Sequence, residues 1–149
     1  MFVNMELVRA GKNNLWAQAG AYYVRIQAMV NGFGIPLGVE IDKNDTSETE
    51  YVIAVDGVLP VGTCRLHITD DRTAKIERVC VLEEYRKKGI GRLVIEEAEK
   101  WLKEKGVRKV IITSRDEAVG FYEKLGYTVD WSRQQTGGVF TIVYTEKEL

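Results

Sequence analysis

The sequence predicts a single α/β domain built on one mixed central sheet of about seven strands flanked by helices. Two observations carry that prediction. Strand-like and helical hydrophobic periods follow one another in the order βα, βββ, αβ, αββ, and no linker, repeat or compositional break divides the 149 residues, so 1–149 is read as one domain. A chain of this length buries roughly two-thirds of the surface that its unfolded form exposes, and needs no disulfide or metal staple.

Taken in order, Glu6 to Val8 reads as a short strand, and Asn13 or Asn14 caps a helical run from about Leu15 to Val30. Leu15, Ala19, Tyr22, Tyr23, Ile26 and Val30 recur at three- and four-residue spacing, which predicts a stripe against the core. Gly32 to Pro36 ends the run. The polar, acidic stretch from Asp42 to Glu50 reads as a solvated loop. Tyr51 to Val55 and Val61 to Ile68, separated by Asp56-Gly57, form a hairpin, and Ala74 to Leu82 is a third consecutive strand.

From Gly89 the period turns helical, with Ile90, Leu93, Val94, Ala98, Trp101 and Leu102 on one face and Gly106 as a left-handed stop. Val107 to Thr113 is a strand, reached from Ala74–Leu82 by a right-handed parallel crossover. Asp116 to Leu125 is a short helix, and Tyr127 to Trp131 and Val139 to Thr145 close the order.

Composition bounds the function. With 21 Lys and Arg against 22 Asp and Glu, the net charge of −1 offers no global field to a nucleic acid or an anionic membrane. Cys64 and Cys80 make neither a disulfide framework nor a zinc site, so no metal is expected and a reducing cytoplasm fits. The chain begins without a signal-like segment and holds no run of 18 apolar residues.

The densest chemical signal runs from Val79, Cys80 and Val81 through Arg86, Lys87, Lys88, Gly89, Ile90, Gly91 and Arg92, a strand that passes through a basic turn into a helix. Four of the seven residues from Arg86 to Arg92 are cationic. Glycines let the backbone approach a ligand, and free N–H groups at a helix start add positive potential, which suits a pyrophosphate. The Walker pattern is absent, and Val94 stands where the dinucleotide fingerprint needs a small residue.

What remains is Arg-x-x-Gly-x-Gly, carried by Arg86, Gly89 and Gly91. Together with Ala118-Val119-Gly120-Phe121-Tyr122-Glu123-Lys124-Leu125-Gly126-Tyr127, it resembles the GNAT superfamily of N-acetyltransferases, in motif order and in the strands around the motifs. The likeness covers residues 50–145 well and the first 50 more loosely. There, the segment from Arg25 to Asp42 and Asp45 is similar to a subgroup whose N-terminal helices cover the acceptor site. Arg115 departs from the family's frequent Asn.

The resemblance implies acetyl-CoA as co-substrate, held by the main chain of Val79, Cys80 and Val81 at the pantetheine arm and by Arg86 to Arg92 at the pyrophosphate. A main-chain N–H near Cys80 then faces the thioester carbonyl. It implies Tyr122 as the general acid for the departing thiolate and an amine acceptor, small molecule or peptide. A homodimer is implied by resemblance alone. Glu77 is the candidate base. Strand alternation groups it with Val79 and Val81, opposite Ile76, Arg78 and Cys80, unless a bulge resets the faces. His67 reads as structural or exposed, and Cys80 as a buried filler. A non-catalytic acyl-CoA-binding or sensing module and a longer-chain acyltransferase are the alternatives.

Overall fold

The computed structural model describes residues 4–136 and 138–149. Seven strands, β1 (Met5–Ala10), β2 (Glu50–Asp56), β3 (Leu59–Ile68), β4 (Thr73–Val81), β5 (Lys109–Arg115), β6 (Thr128–Gln135) and β7 (Ile142–Glu148), form one sheet in the order β1-β2-β3-β4-β5-β7-β6. Neighbours are antiparallel except β4 and β5, which run parallel. The crossover between them is α3 (Ile90–Glu104). The first helix, α1 (Leu15–Arg25), continues as a wider-wound turn over Ile26–Asn31 and is followed by the short α2 (Leu37–Glu40); α4 (Val119–Lys124) precedes β6. The predicted single-domain mixed sheet is therefore the observed one. Among the described residues no helix is long and apolar enough to cross a membrane.

The two faces of the sheet are covered differently. On one, Val52, Ala54, Cys64, Leu66, Ala74 and Ile76 pack with Ile90, Val94, Ala98 and Leu102 of α3. Four apolar residues at helical spacing make this the main core, as the sequence predicts, although Leu93 of the predicted stripe is exposed. On the other face, Tyr51, Ile53 and Val55 of β2 pack with Ala17 and Ala21 of α1.

The predicted stripe on the first helix is corrected. Leu15, Ala19 and Tyr23 face solvent, and Tyr22, Ile26 and Val30 are half-buried, whereas Ala17, Gly20, Ala21, Val24 and Ala28 are buried. The helix lies so close to the hairpin that a Cβ on Gly20 would stand 3.2 Å from Pro60 Cγ. Only small side chains fit at that distance, so the bulky ones turn outward.

The acidic stretch is corrected too. Asp42 and Asp45 do not hang in solvent but close a cluster of charges beneath α1. Arg25, fully buried, donates to Glu40 Oε2 (3.0 Å) and to both oxygens of Asp45 (2.6 and 2.9 Å). Arg65 of β3, also buried, donates to Asp42 (2.9 Å), Asp45 (3.0 Å) and Glu77 (3.1 Å). Arg78 reaches Asp42 at 2.9 Å, and Tyr51 Oη donates to Asp45 at 2.7 Å. Charged side chains at this depth persist only when so paired. The cluster fastens the segment from α1 to residue 49 onto β3 and β4.

Burial alone would raise the Asp45 carboxyl, but the hydrogen bonds from Arg25 and Tyr51 outweigh it and hold that carboxyl well below the usual carboxylate range. A carboxyl lowered in the folded state adds stability above its unfolded value of about 4, and that stability is lost as pH falls through the folded value. Asp45→Asn leaves two buried guanidiniums short of charge and should cost about 3–5 kcal/mol in urea unfolding at pH 7. The gap between variant and wild type should narrow on acidification below about pH 4. A cost under 1 kcal/mol at pH 7, measured against the same wild type, would contradict the cluster's structural role.

Candidate active site

The site begins where the parallel pair comes apart. β4 and β5 are in register from Thr73 with Lys109 to Lys75 with Ile111, and pairing stops there. The cause lies on the other edge of β4. Arg65 is opposite Glu77 while Thr63 is opposite Cys80, so three steps of β4 span two of β3. The extra residue is a bulge, and Arg78 takes φ +55° within it. A bulge bends and twists its strand, and beyond Lys75 and Ile111 the two strands run on to Val81 and Arg115 without pairing, which leaves a slot between their C-terminal ends.

The bulge also decides what the slot presents. Leu82 N–H donates to Val61 O (2.8 Å), and Gly62 with Val81 and Thr63 with Cys80 follow in the same register. Antiparallel alternation then commits the main chain of Cys80 to β3 and leaves the N–H and C=O groups of Val79 and Val81 facing the slot. Consistent with this, Val81 O accepts from Arg86 Nε at 3.1 Å. Of the three strand residues expected at the pantetheine arm, Val79 and Val81 offer main-chain groups and Cys80 does not.

After β4, a short turn at Glu83–Tyr85 leads into Arg86–Gly89 and the start of α3. Lys87 (φ +63°) and Gly89 (φ +82°) are both left-handed. At Gly89 that conformation is free of strain and turns the chain into the helix, whose first N–H groups have no intrahelical partner. Lys87, Lys88 and Gly89 are exposed around that helix start, and Ile90 is buried beneath it. A Cβ on Gly91 would lie 3.3 Å from the ring of Phe121, so the glycine lets α4 approach α3. Arg92 turns away to Glu96 (2.8 Å), and Arg86 turns back over the strand. The predicted basic residues thus split between the helix start and its flanks.

The strict alternation expected along β4 is corrected by the same bulge. Thr63 and Arg65 share the α1 face of β3, so their partners Cys80 and Glu77 share it as well. Glu77 Oε1 accepts from both Nε (3.3 Å) and a terminal nitrogen (3.1 Å) of Arg65. His67 lies beside it, with Nδ1 3.5 Å from that oxygen; the ring is partly exposed while Nδ1 is buried and without a hydrogen bond. Alternation from Lys75 and Ile111 places Ile111, Thr113 and Arg115 on this face of β5, across the slot from Glu77.

Tyr122 is buried on α4, its ring edge-on to Phe121 (5.0 Å) and Tyr127 (5.9 Å). Burial raises its phenol above the ordinary value, and Cys64, Cys80 and Arg115 lie near enough to act on it. It is therefore fully protonated at neutral pH and able to donate. Burial also pushes the Cys80 thiol up to about 12, which leaves no thiolate to attack with. Among the described residues no group of His, Cys, Asp and Glu is arranged to hold a metal ion.

Sequence reasoning did not assemble Arg65 and Glu40 with Glu77, nor Phe33 and Phe140 with Arg115. One signal was available for the first: Arg25 is the single charged residue between Asn13 and Val39. The second joins three segments. The Phe33 and Phe140 rings meet edge-on at 5.5 Å, and Arg115 lies over both, at 5.4 and 4.9 Å. Arg86 approaches Phe33 at 5.8 Å.

A slot between splayed parallel strands, a bulged β4 and a left-handed basic turn into α3 define one class of protein. The family model for the acetyltransferase (GNAT) family matches residues 18–127, and the chain belongs to that family. It is similar to a protein of Bacillus subtilis (strain 168) assigned as an acetyltransferase, with 32% identity over 130 residues, 86% of this chain and 88% of that relative. It is also similar to the crystal structure of a Lactobacillus plantarum protein assigned as an N-acetyltransferase, with TM-score 0.90, 30% identity and coverage of 97% and 98%. The fold alone is shared with an aminoglycoside 6′-N-acetyltransferase complexed with coenzyme A, at TM-score 0.76, 16% identity and 96% of each chain.

Gly89→Glu puts a side chain into a left-handed position and a negative charge at the helix start. Titration with acetyl-CoA should show affinity reduced at least tenfold while the folded spectrum is kept. Equal affinity would remove this turn from the ligand site.

Proposed function

We propose that the protein is an N-acetyltransferase that moves the acetyl group of acetyl-CoA to an amine by direct attack, with both substrates bound at once. The observation that carries this reading is the parted β4–β5 pair, where the main-chain groups of Val79 and Val81 that β3 does not use match the two amides of a pantetheine arm as an added strand would. The complex of coenzyme A with the aminoglycoside 6′-N-acetyltransferase of the same fold supports the choice of ligand.

In this reading the exposed turn at Lys87–Gly91 takes the pyrophosphate on the first N–H groups of α3. The arm enters the slot, and an N–H of Val79 or Val81 donates to the thioester oxygen as negative charge develops there. The acceptor nitrogen forms its bond to the acetyl carbon while the carbon–sulfur bond breaks. Tyr122 gives its proton to the leaving sulfur, and the proton shed by the amine passes to Glu77, directly or through water. Cys80, with its thiol protonated, forms no acyl intermediate.

Calorimetric titration with acetyl-CoA, followed by a thiol-release assay over a panel of amines, tests the proposal. Binding with release on at least one amine is the expected outcome, and absence of binding would overturn it. Tyr122→Phe should lower turnover about 10- to 10,000-fold with acetyl-CoA affinity little changed, the range for a general acid. Unaltered turnover would exclude the phenol from proton delivery. Glu77→Gln should likewise lower kcat by at least about tenfold at neutral pH. A variant that keeps kcat would leave proton removal to water alone.

A further inference from the structure

We propose that Arg115 is the acceptor-anchoring residue, and that the amine this enzyme acetylates also carries a carboxylate next to an apolar group, as an apolar α-amino acid does. The inference rests on the acetyltransferase reading and deepens it by naming the acceptor class.

Three observations on the α1 face carry it. The first is how Arg115 is held. Phe33, from the segment between α1 and α2, and Phe140, from the β6–β7 connection, meet over the end of β5, and the guanidinium lies over both rings. Cation–π attraction to the two rings holds the guanidinium there without supplying an oxygen acceptor for its five N–H groups.

The second is that, among the described residues, this guanidinium has only one long ion pair, to an exposed carboxylate. Arg25, Arg65 and Arg78, on the same side of the sheet, are each bonded to carboxylates at 3.0 Å or less. The guanidinium of Arg115 makes no hydrogen bond to a described residue, and its nearest carboxylate, the exposed Glu117, is 3.7 Å away. A planar fork of donors with that geometry binds a carboxylate through two parallel hydrogen bonds.

The third is placement. Arg115 and Glu77 lie on the same face on opposite lips of the slot. In the parallel register Thr113 is level with Glu77, and Arg115 stands two residues further along β5, roughly 7 Å toward the mouth. An acceptor whose amine is directed to Glu77 therefore reaches Arg115 with a group close to that amine, while Phe33 and Phe140 offer apolar surface beside it. A polycationic acceptor meets Arg115 and Arg86 around Phe33 as like charges.

Matched acceptors test the proposal: thiol release from acetyl-CoA with L-phenylalanine against 2-phenylethylamine, and with L-leucine against 3-methylbutylamine. The amino acids should show kcat/KM at least tenfold above their decarboxylated twins. Arg115→Gln should collapse that preference about 10- to 100-fold, through the acceptor's KM rather than kcat. Arg115→Lys, which keeps the charge and loses the fork, should fall between. Equal or better use of the decarboxylated amines would overturn the proposal and leave the acetyltransferase standing.

A loss of acetyl-CoA affinity in Arg115→Gln, with the acceptor preference intact, would also overturn it, by assigning Arg115 to a phosphate. Should no amine of the panel turn over, equilibrium binding of N-acetyl-L-phenylalanine to the coenzyme A-loaded protein decides. Binding weakened at least tenfold by Arg115→Gln supports the anchor, and no binding, or binding indifferent to the substitution, contradicts it. Failure to bind acetyl-CoA at all would instead bring down the acetyltransferase reading itself.

Discussion

The bulge at Arg78 is the constraint on which the rest of the site depends. A non-glycine residue held at φ +55° costs on the order of 1–3 kcal/mol, and it persists only where its surroundings over-determine it. Here Arg78 is fixed from outside the sheet, by Asp42 at 2.9 Å and by the carbonyl oxygen of Glu40 at 3.2 Å. One inserted residue then does three things. It ends the β4–β5 ladder at Lys75 and Ile111, it turns Glu77 and Cys80 onto one face, and it leaves Val79 and Val81 with main-chain groups that β3 does not use.

The charge cluster is the counterpart of the bulge. Ion pairs buried this deeply contribute little net stability compared with well-packed apolar residues, but removing one member is costly, so they fix geometry more than they add free energy. Arg25, Arg65 and Arg78 face Glu40, Asp42, Asp45 and Glu77, three cations against four anions. Glu77 is the partly exposed end of the chain of contacts, held by Arg65 beside His67. The same contacts that tie the first helix to the strands thus hold the Glu77 carboxylate.

Much of this was legible in the sequence, for identifiable reasons. The α3 helix declares itself through Ile90, Val94, Ala98 and Leu102 at helical spacing, and the turn before it through two glycines among basic residues. Both are local patterns, and both hold. The face of α1 was misread because bulky residues outnumber small ones on it, whereas the close approach to Pro60 selects Ala17, Gly20 and Ala21. The stretch from Asp42 to Asp45 looked solvated because its partners, Arg25 and Arg65, are distant in sequence. Period-two alternation failed at Glu77 because a single φ, at a residue whose type gives no hint of it, reverses the pattern. Phe33, Arg115 and Phe140 come from three segments and leave no joint signature.

Amide hydrogen exchange of β4, followed residue by residue with and without coenzyme A, tests the central claim that the bulge frees two strand residues to bind the pantetheine arm. The amide of Cys80 should be protected in both states, since β3 already holds it. The amides of Val79 and Val81 should exchange fast in the free protein and become protected in the complex. Protection of Val79 and Val81 before ligand is added, or no change in either on saturation, would contradict the account.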